Sequence, residues 1–173
     1  MDLEVFNSTD PETARAALRP CIDVDRWVDE LEAGRPYASV DELLARAATA
    51  ALPFTAGEVE QALSHHPRIG ERADGETAEA KLSRGEQAAV DPASETTRRI
   101  HEGNRAYEER FGHVFLIRAA GRSPEEILAE LQRRLENSAE QEERETAEQL
   151  RQIALLRLRG AVDAPAAAPA AHS

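Results

Sequence analysis

Residues 138–159, SAEQEERETAEQLRQIALLRLR, decide how the chain folds. Within them Ala147, Leu150, Ile153, Ala154 and Leu158 recur at intervals of three and four, the period that places side chains along one face of an α-helix. Most of the charged residues between them fall on the other faces. The stretch predicts one long helix from about Ser138 to Arg159.

The same period recurs toward the N-terminus. Ile127, Leu128, Leu131 and Leu135 mark a second apolar stripe, and Ile100, Tyr107 and Phe111 a third, which also carries Asn104. Val59, Ala62 and Leu63 form a short one, Val40, Leu43, Leu44, Ala47, Ala48 and Ala51 another, and Val24, Trp27, Val28 and Leu31 another. Start signals precede many of them. Asp10-Pro11-Glu12 supplies a cap with proline at the first helical position. A Ser or Thr is followed three residues later by Glu at Ser39/Glu42, Thr55/Glu58, Ser83/Glu86 and Ser123/Glu126, where hydroxyl and carboxylate can satisfy free backbone N–H groups reciprocally. No segment sustains a two-residue alternation. An all-α, single-domain helical bundle over residues 1–162 is predicted, with the Ala/Pro-rich residues 163–173 as a disordered tail.

Two segments break the rule. Residues 111–123, FGHVFLIRAAGRS, are apolar and β-branched, bracketed by Gly112 and Gly121. They read either as a short irregular, partly extended loop whose peptide groups need partners, a ligand among them, or as a packed connector between helices. The other is His65-His66-Pro67-Arg68-Ile69-Gly70-Glu71. Proline disfavours helical backbone in the residue before it, so His66 is expected at the lip of a helix, extended, with its imidazole projected. A histidine there can be a helix cap or a titrating group near neutrality.

Bulk properties narrow the function. The chain has 173 residues, 41% hydrophobic and 31% charged, enough for a sizeable core. A net charge of −12 argues against nucleic acid and against anionic membrane surfaces. A single cysteine, Cys21, excludes an intrachain disulfide and suits a reducing compartment. No apolar run approaches a membrane span, no signal-peptide core follows Met1, and the ending is not of the Ser-Lys-Leu type. A cytoplasmic protein is expected. His65, His66, His101, His113 and His172 form no metal signature, and there is no cysteine pair, phosphate loop or nucleophile elbow.

Other polar residues carry two readings each. Glu86 and Gln87 either belong to the helix start capped by Ser83 or face a cleft, where a carboxylate can accept from N–H groups and an amide offers both donor and acceptor. Arg157 follows Leu150 and Ile153 on the apolar stripe of the last helix. It either snorkels toward an acidic partner or clamps a carboxylate. Arg151 and Arg159 lie farther round. Asn104 reads as a structural hydrogen-bonding group.

Taken in order, these pieces resemble one family, the 2-oxo-4-hydroxy-4-carboxy-5-ureidoimidazoline (OHCU) decarboxylases of urate breakdown. The likeness covers about residues 5–160 and rests on Phe6-Asn7, Trp27, Arg35-Pro36-Tyr37, His66-Pro67-Arg68-Ile69-Gly70, Ser83-x-x-Glu86-Gln87, Asn104-x-x-Tyr107-x-x-x-Phe111-Gly112, Gly121-Arg122-Ser123 and Ile153-Ala154-Leu155-Leu156-Arg157-Leu158. The resemblance implies an all-helical, cofactor-free homodimer that binds no metal and converts OHCU to (S)-allantoin. It implies His66 as the catalytic histidine, assisted by Glu86. Pro67, Ser83, Arg84, Gly85, Glu86 and Gln87 would line the substrate. Phe115, Leu116, Ile117, Arg118 and Ala119 would contribute backbone contacts, and Arg157 would meet the anionic part. His113 departs from the family pattern, which more often has an apolar or aromatic residue after Phe-Gly. Two other readings stand beside this one. One is a non-catalytic helical adaptor that uses the acidic face of residues 136–148; the other is a relative acting on a different ureido or imidazoline compound.

Overall fold

A computed structural model describes residues 1–64, 66–69, 81–82, 85 and 94–163. Among them are eight α-helices and no strand: α1 Leu3–Ser8, α2 Pro11–Leu18, α3 Asp25–Ala33, α4 Val40–Thr49, α5 Ala56–Ser64, α6 Glu95–Phe111, α7 Pro124–Arg134 and α8 Ala139–Asp163. The all-α expectation holds. No helix among the described residues is long and apolar enough to cross a membrane.

The starts follow the side-chain chemistry. Asp10 accepts from the Thr13 N–H ahead of Pro11. Thr55 and Glu58 cap α5 reciprocally, and Ser123 and Glu126 do the same for α7. Ser39 accepts from the Glu42 N–H, whereas the Glu42 carboxylate reaches one residue further back, to the Ala38 N–H at 2.7 Å. A further reciprocal box, Ser138 with Gln141, starts α8. The Ser83/Glu86 pair lies outside the described residues.

Contacts divide the chain into two compact units: Met1–Pro53 together with the chain from Ala154 on, and Phe54–Ile153. In the first, α2 packs on α3 and α3 on α4 around Phe6, Leu18, Trp27, Leu31 and Leu43, all 1% exposed or less. The Trp27 indole donates to the Ala47 carbonyl at 3.0 Å. Asn7 and Tyr37 exchange hydrogen bonds between amide side chain and backbone at 2.8 and 2.9 Å. Arg35 donates to the carbonyls of Phe6 and Thr9, which ties α1 to the turn after α3. The stripe read through Ala51 stops earlier: α4 ends at Thr49, and Ala50 at ψ 140° is already outside helical backbone. Ala51 instead takes φ +54°, its N–H held by Glu30 and its carbonyl by Arg26.

The second unit is built on α6 and α7, which pack closely against each other. Their core is a single cluster of Ile69, Ile100, Tyr107, Phe115, Ile117, Ala119, Ile127, Leu128 and Leu131. Its members come from the helices, from the loop after α5 and from the segment between α6 and α7. That segment, 112–123, contains no helix or strand. Gly112 at φ +77° ends α6, donating to the Glu108 carbonyl, and Gly121 at φ +81° forms the exit turn. Both values favour a residue without Cβ. The last helix runs to Asp163, four residues past the sequence-based end at Arg159.

Candidate active site

The helix α5 ends at Ser64, and His66 follows in non-helical backbone, as the proline predicts. The ring does not project outward. It turns back so that Nδ1 lies 2.9 Å from the Ala62 carbonyl, while the His66 N–H donates to Leu63 at 3.0 Å. The reason is the deficit of donors at a helix C-terminus, where the last carbonyls lack intrahelical partners. Cap and functional group are thus one side chain. Because a carbonyl only accepts, Nδ1 must carry the proton, and in the neutral ring Nε2 then carries the lone pair.

The residues after His66 are fastened to α6. The Asn104 amide, 2% exposed, donates to the Ile69 carbonyl at 2.9 Å. Arg68 grips Glu108 with two nitrogens, Nε–Oε1 at 2.5 Å and a second at 2.9 Å. The guanidinium holds the Glu108 carboxyl below the ordinary glutamate range, against a smaller opposing effect of burial. Ile69 sits in the same cluster as Phe115, Ile117 and Ala119. The His66 loop and the 115–119 run are therefore two parts of one packed body, as their joint assignment to a site requires.

The 115–119 run has its own supports. The Leu116 carbonyl accepts from Arg134 at 2.7 Å, and the Arg118 N–H donates to Gln149 at 2.8 Å. Arg134 is fully buried. Its guanidinium lies 4.8 Å from the Phe115 ring centroid and 5.9 Å from that of Tyr107, donates to Thr146 and forms a tight ion pair with Glu142. Glu142, also fully buried, accepts from the Tyr107 hydroxyl and from Asn137. Burial, and then the neighbouring carboxylate, push the Tyr107 phenol well above its usual pKa. Sequence reasoning missed this network, although a signal was present. Arg134 lies three residues after Leu131 and seven after Ile127, and Glu142 extends the Thr146–Leu150–Ile153 stripe backward. The acidic run 136–148 is accordingly no uniform solvated face.

Arg157 belongs to the first unit, is 4% exposed, and donates to the Pro20 carbonyl at 3.3 Å. Arg151, placed by the sequence away from the apolar face, is buried instead, its guanidinium 4.2 Å from the Phe54 ring centroid; stacking on an aromatic face lets a cation leave solvent. Ser83, Arg84, Glu86 and Gln87 lie outside the described residues. Gly85 is exposed, with nothing within 4 Å of where its Cβ would be. His113 meets the Tyr107 ring edge-on at 5.5 Å and its Nδ1 lies 3.1 Å from the Val114 carbonyl. It lines a cleft of about 590 Å³ with Val59, Leu63, Phe111, Val114 and Thr146. Its lining includes Leu63 and Ser64, just before His66, and Val114, just before the 115–119 run. Among the described residues no three His, Cys, Asp or Glu side chains group in a way that would hold a metal ion.

The fold is shared with solved structures. A crystal structure of OHCU decarboxylase in the presence of (S)-allantoin superposes with a TM-score of 0.70 at 22% identity, covering 90% of this chain and all of that one. A crystal structure of (S)-allantoin synthase gives 0.68 at 18% identity, over 94% of this chain and 55% of the other. The OHCU decarboxylase family model matches residues 7–159, and the chain belongs to that family. It is 31% identical over 165 residues to the 2-oxo-4-hydroxy-4-carboxy-5-ureidoimidazoline decarboxylase of Haloferax volcanii, spanning 91% of this chain and 94% of that protein. It is 32% identical over 136 residues to the protein of the same name from Amia calva, spanning 77% and 78%.

Proposed function

We propose that this chain is an OHCU decarboxylase that forms (S)-allantoin without a cofactor, acting as a cytoplasmic homodimer through a catalytic domain of about residues 1–162. The observation that carries the reading is the His66 Nδ1 contact with Ala62, which holds a defined imidazole tautomer on the His-Pro motif of a chain matching the family over residues 7–159.

Decarboxylation leaves an electron pair on carbon, and OHCU accepts that pair itself. Its carboxylated carbon adjoins the imidazoline C=N, so the electrons of the broken C–C bond move into the ring as CO₂ leaves. That pair becomes a C=C bond, the C=N pair moves onto the ring nitrogen, which takes up a proton, and the resulting enol then loses its hydroxyl proton and gains one on the ureido-bearing carbon, giving allantoin. His66 moves the last two protons, its Nε2 lone pair taking the one from the hydroxyl and returning it to carbon, and Glu86 assists. Arg157 meets the anionic part of the substrate. Pro67, residues 83–87 and the 115–119 backbone orient it, and protonation on one face gives the single enantiomer. Acid–base help of this kind contributes about 10²–10⁴-fold, and orientation with charge stabilisation the greater part of the remainder.

The test uses OHCU made freshly from urate by uricase and 5-hydroxyisourate hydrolase, with circular dichroism reporting optically active allantoin. Fast formation of the (S) enantiomer, insensitive to EDTA, is expected from the purified protein. His66→Asn should remove at least about 100-fold of that rate with an unchanged helical spectrum. Racemic product at the uncatalysed rate from the unaltered protein would refute the function, and near-normal turnover in His66→Asn would refute the role of the histidine.

A further inference from the structure

Up to Arg118 the 115–119 run spends only one of its edges on the protein; beyond it the Ala119 carbonyl accepts from the Arg122 N–H at 3.0 Å in the exit turn. In extended backbone, peptide groups of residues i and i+2 face one side and those of the intervening residues the other. Of the three captured groups, the Leu116 carbonyl and the Arg118 N–H lie on one edge by that parity, and the Ala119 carbonyl belongs to the exit turn. The side chains alternate as well: Phe115, Ile117 and Ala119 enter the core cluster, while Leu116 and Arg118 do not. On the opposite edge, the N–H groups of Ile117 and Ala119 meet no acceptor among the described residues. Yet these residues are only 2% and 6% exposed, where a donor without an acceptor is costly. The Leu116 end is anchored by a guanidinium that Glu142, Thr146 and two aromatic rings immobilise. The Arg118 end rests on one half-buried side chain, Gln149.

We propose that Gln149 is a positioning residue for the reaction. By accepting from the Arg118 N–H it fixes the rotation of the run and aims the Ile117 and Ala119 N–H groups at the substrate. The inference rests on the decarboxylase function proposed above. Two donors two residues apart on an extended chain stand about 6.6 Å from each other. That separation suits two different oxygens of a planar ureido-substituted ring, and not the two oxygens of one carboxylate. The clamped edge therefore recognises the ring and ureido carbonyls, leaving the carboxylate to a cation.

Gln149→Met keeps the length of the side chain and removes the acceptor; Gln149→Glu keeps an acceptor oxygen. In the full-length protein, amide hydrogen exchange, thermal midpoint, kcat, KM and the enantiomeric excess of allantoin would be measured for both. In Gln149→Met the Arg118 amide should exchange at least about tenfold faster, kcat should fall about 10- to 100-fold, and the (S) excess should drop, with little change in thermal midpoint. Gln149→Glu should recover most of the rate and of the excess. Unaltered kcat and enantiomeric excess in Gln149→Met, or equal losses in both variants, would overturn the positioning role alone. An unaltered protein that makes no (S)-allantoin would overturn the decarboxylase function and this inference with it.

Discussion

Asn104 and Ile69, 35 positions apart, are joined by a 2.9 Å hydrogen bond from side-chain amide to main-chain carbonyl, and both residues are buried. The bond lies three residues beyond His66. It makes a loop geometry out of what would otherwise be a helix end with a proline after it. Asn104→Ala leaves the Ile69 carbonyl without its donor, an expected loss of about 1–3 kcal/mol in unfolding free energy. The His66 ring then loses part of its support, so kcat should fall more than KM changes. Denaturant melts paired with steady-state kinetics would check both; full activity alongside the stability loss would show that the ring is held without this bond.

Glu108 adds a pH-dependent strap to the same loop. Its carboxyl is depressed chiefly by the hydrogen bonds from Arg68. A glutamate whose folded-state pKa lies below its unfolded value stabilises the fold above the unfolded value, and that contribution disappears as pH falls through the folded value. The Arg68 side chain is 46% exposed and that of Glu108 26%, so solvent screening keeps the contribution below about 1 kcal/mol. Glu108→Gln should therefore lower the thermal midpoint at neutral pH and leave it unchanged well below the glutamate range. Melting curves from pH 7 downward should converge for the two proteins; a constant gap would place the effect in packing and not in charge.

Much of this architecture is legible in the chain because helix starts and faces are local. Thr55 with Glu58, Ser123 with Glu126 and the proline after Asp10 each lie within four residues of the backbone they satisfy. The 111–123 segment shows in the chain only as a break in helical period between two glycines, open to a loop or a packed connector, and the structure leaves 112–123 without helix or strand. The supports of the candidate site are not local. Gln149 meets Arg118 across 31 positions, and Arg134 meets Leu116 across 18. Helical period marks Arg134 and Glu142 as inward-facing, but ordinary expectation sends charges outward, and only the partner across the helix pair reverses it. His66 shows the converse. Its place at the helix end follows from Pro67, while its turn back to Ala62 depends on which carbonyl lacked a donor.

The Arg134–Glu142 pair is expected to be expensive to break and cheaper to replace. Each partner is buried; removing Arg134 leaves the Glu142 charge uncompensated, at about 3–5 kcal/mol, and removing Glu142 leaves Arg134 only the longer 3.7 Å approach to Glu145. Arg134→Met also strips the donor from the Leu116 carbonyl, and Glu142→Leu strips the acceptor from the Tyr107 hydroxyl. The double variant should lose clearly less than the sum of the single losses, because no unpaired charge remains. Chemical denaturation of the four proteins gives the coupling directly. Additive losses would mean that the surrounding hydrogen bonds, and not the charges, hold the network.

Gly103 tests how tightly α6 and α7 approach. A Cβ there would stand 2.6 Å from Leu131 Cδ2 and 3.1 Å from its Cγ, and Leu131 is fully buried, so it has little room to yield. Overpacking of this kind costs about 1–3 kcal/mol, against about 1 kcal/mol gained from better helix propensity. Gly103→Ala should therefore be net destabilising. In a Leu131→Ala background the obstructing methyl is gone, and the same substitution should stabilise the protein by up to about 1 kcal/mol. The reversal of sign between backgrounds is the diagnostic, read from denaturant midpoints at constant m-value. A stabilising Gly103→Ala in the unaltered protein would show that the helices separate freely at this contact, and that the cluster behind the 115–119 run is less tightly packed than the Gly103–Leu131 approach implies.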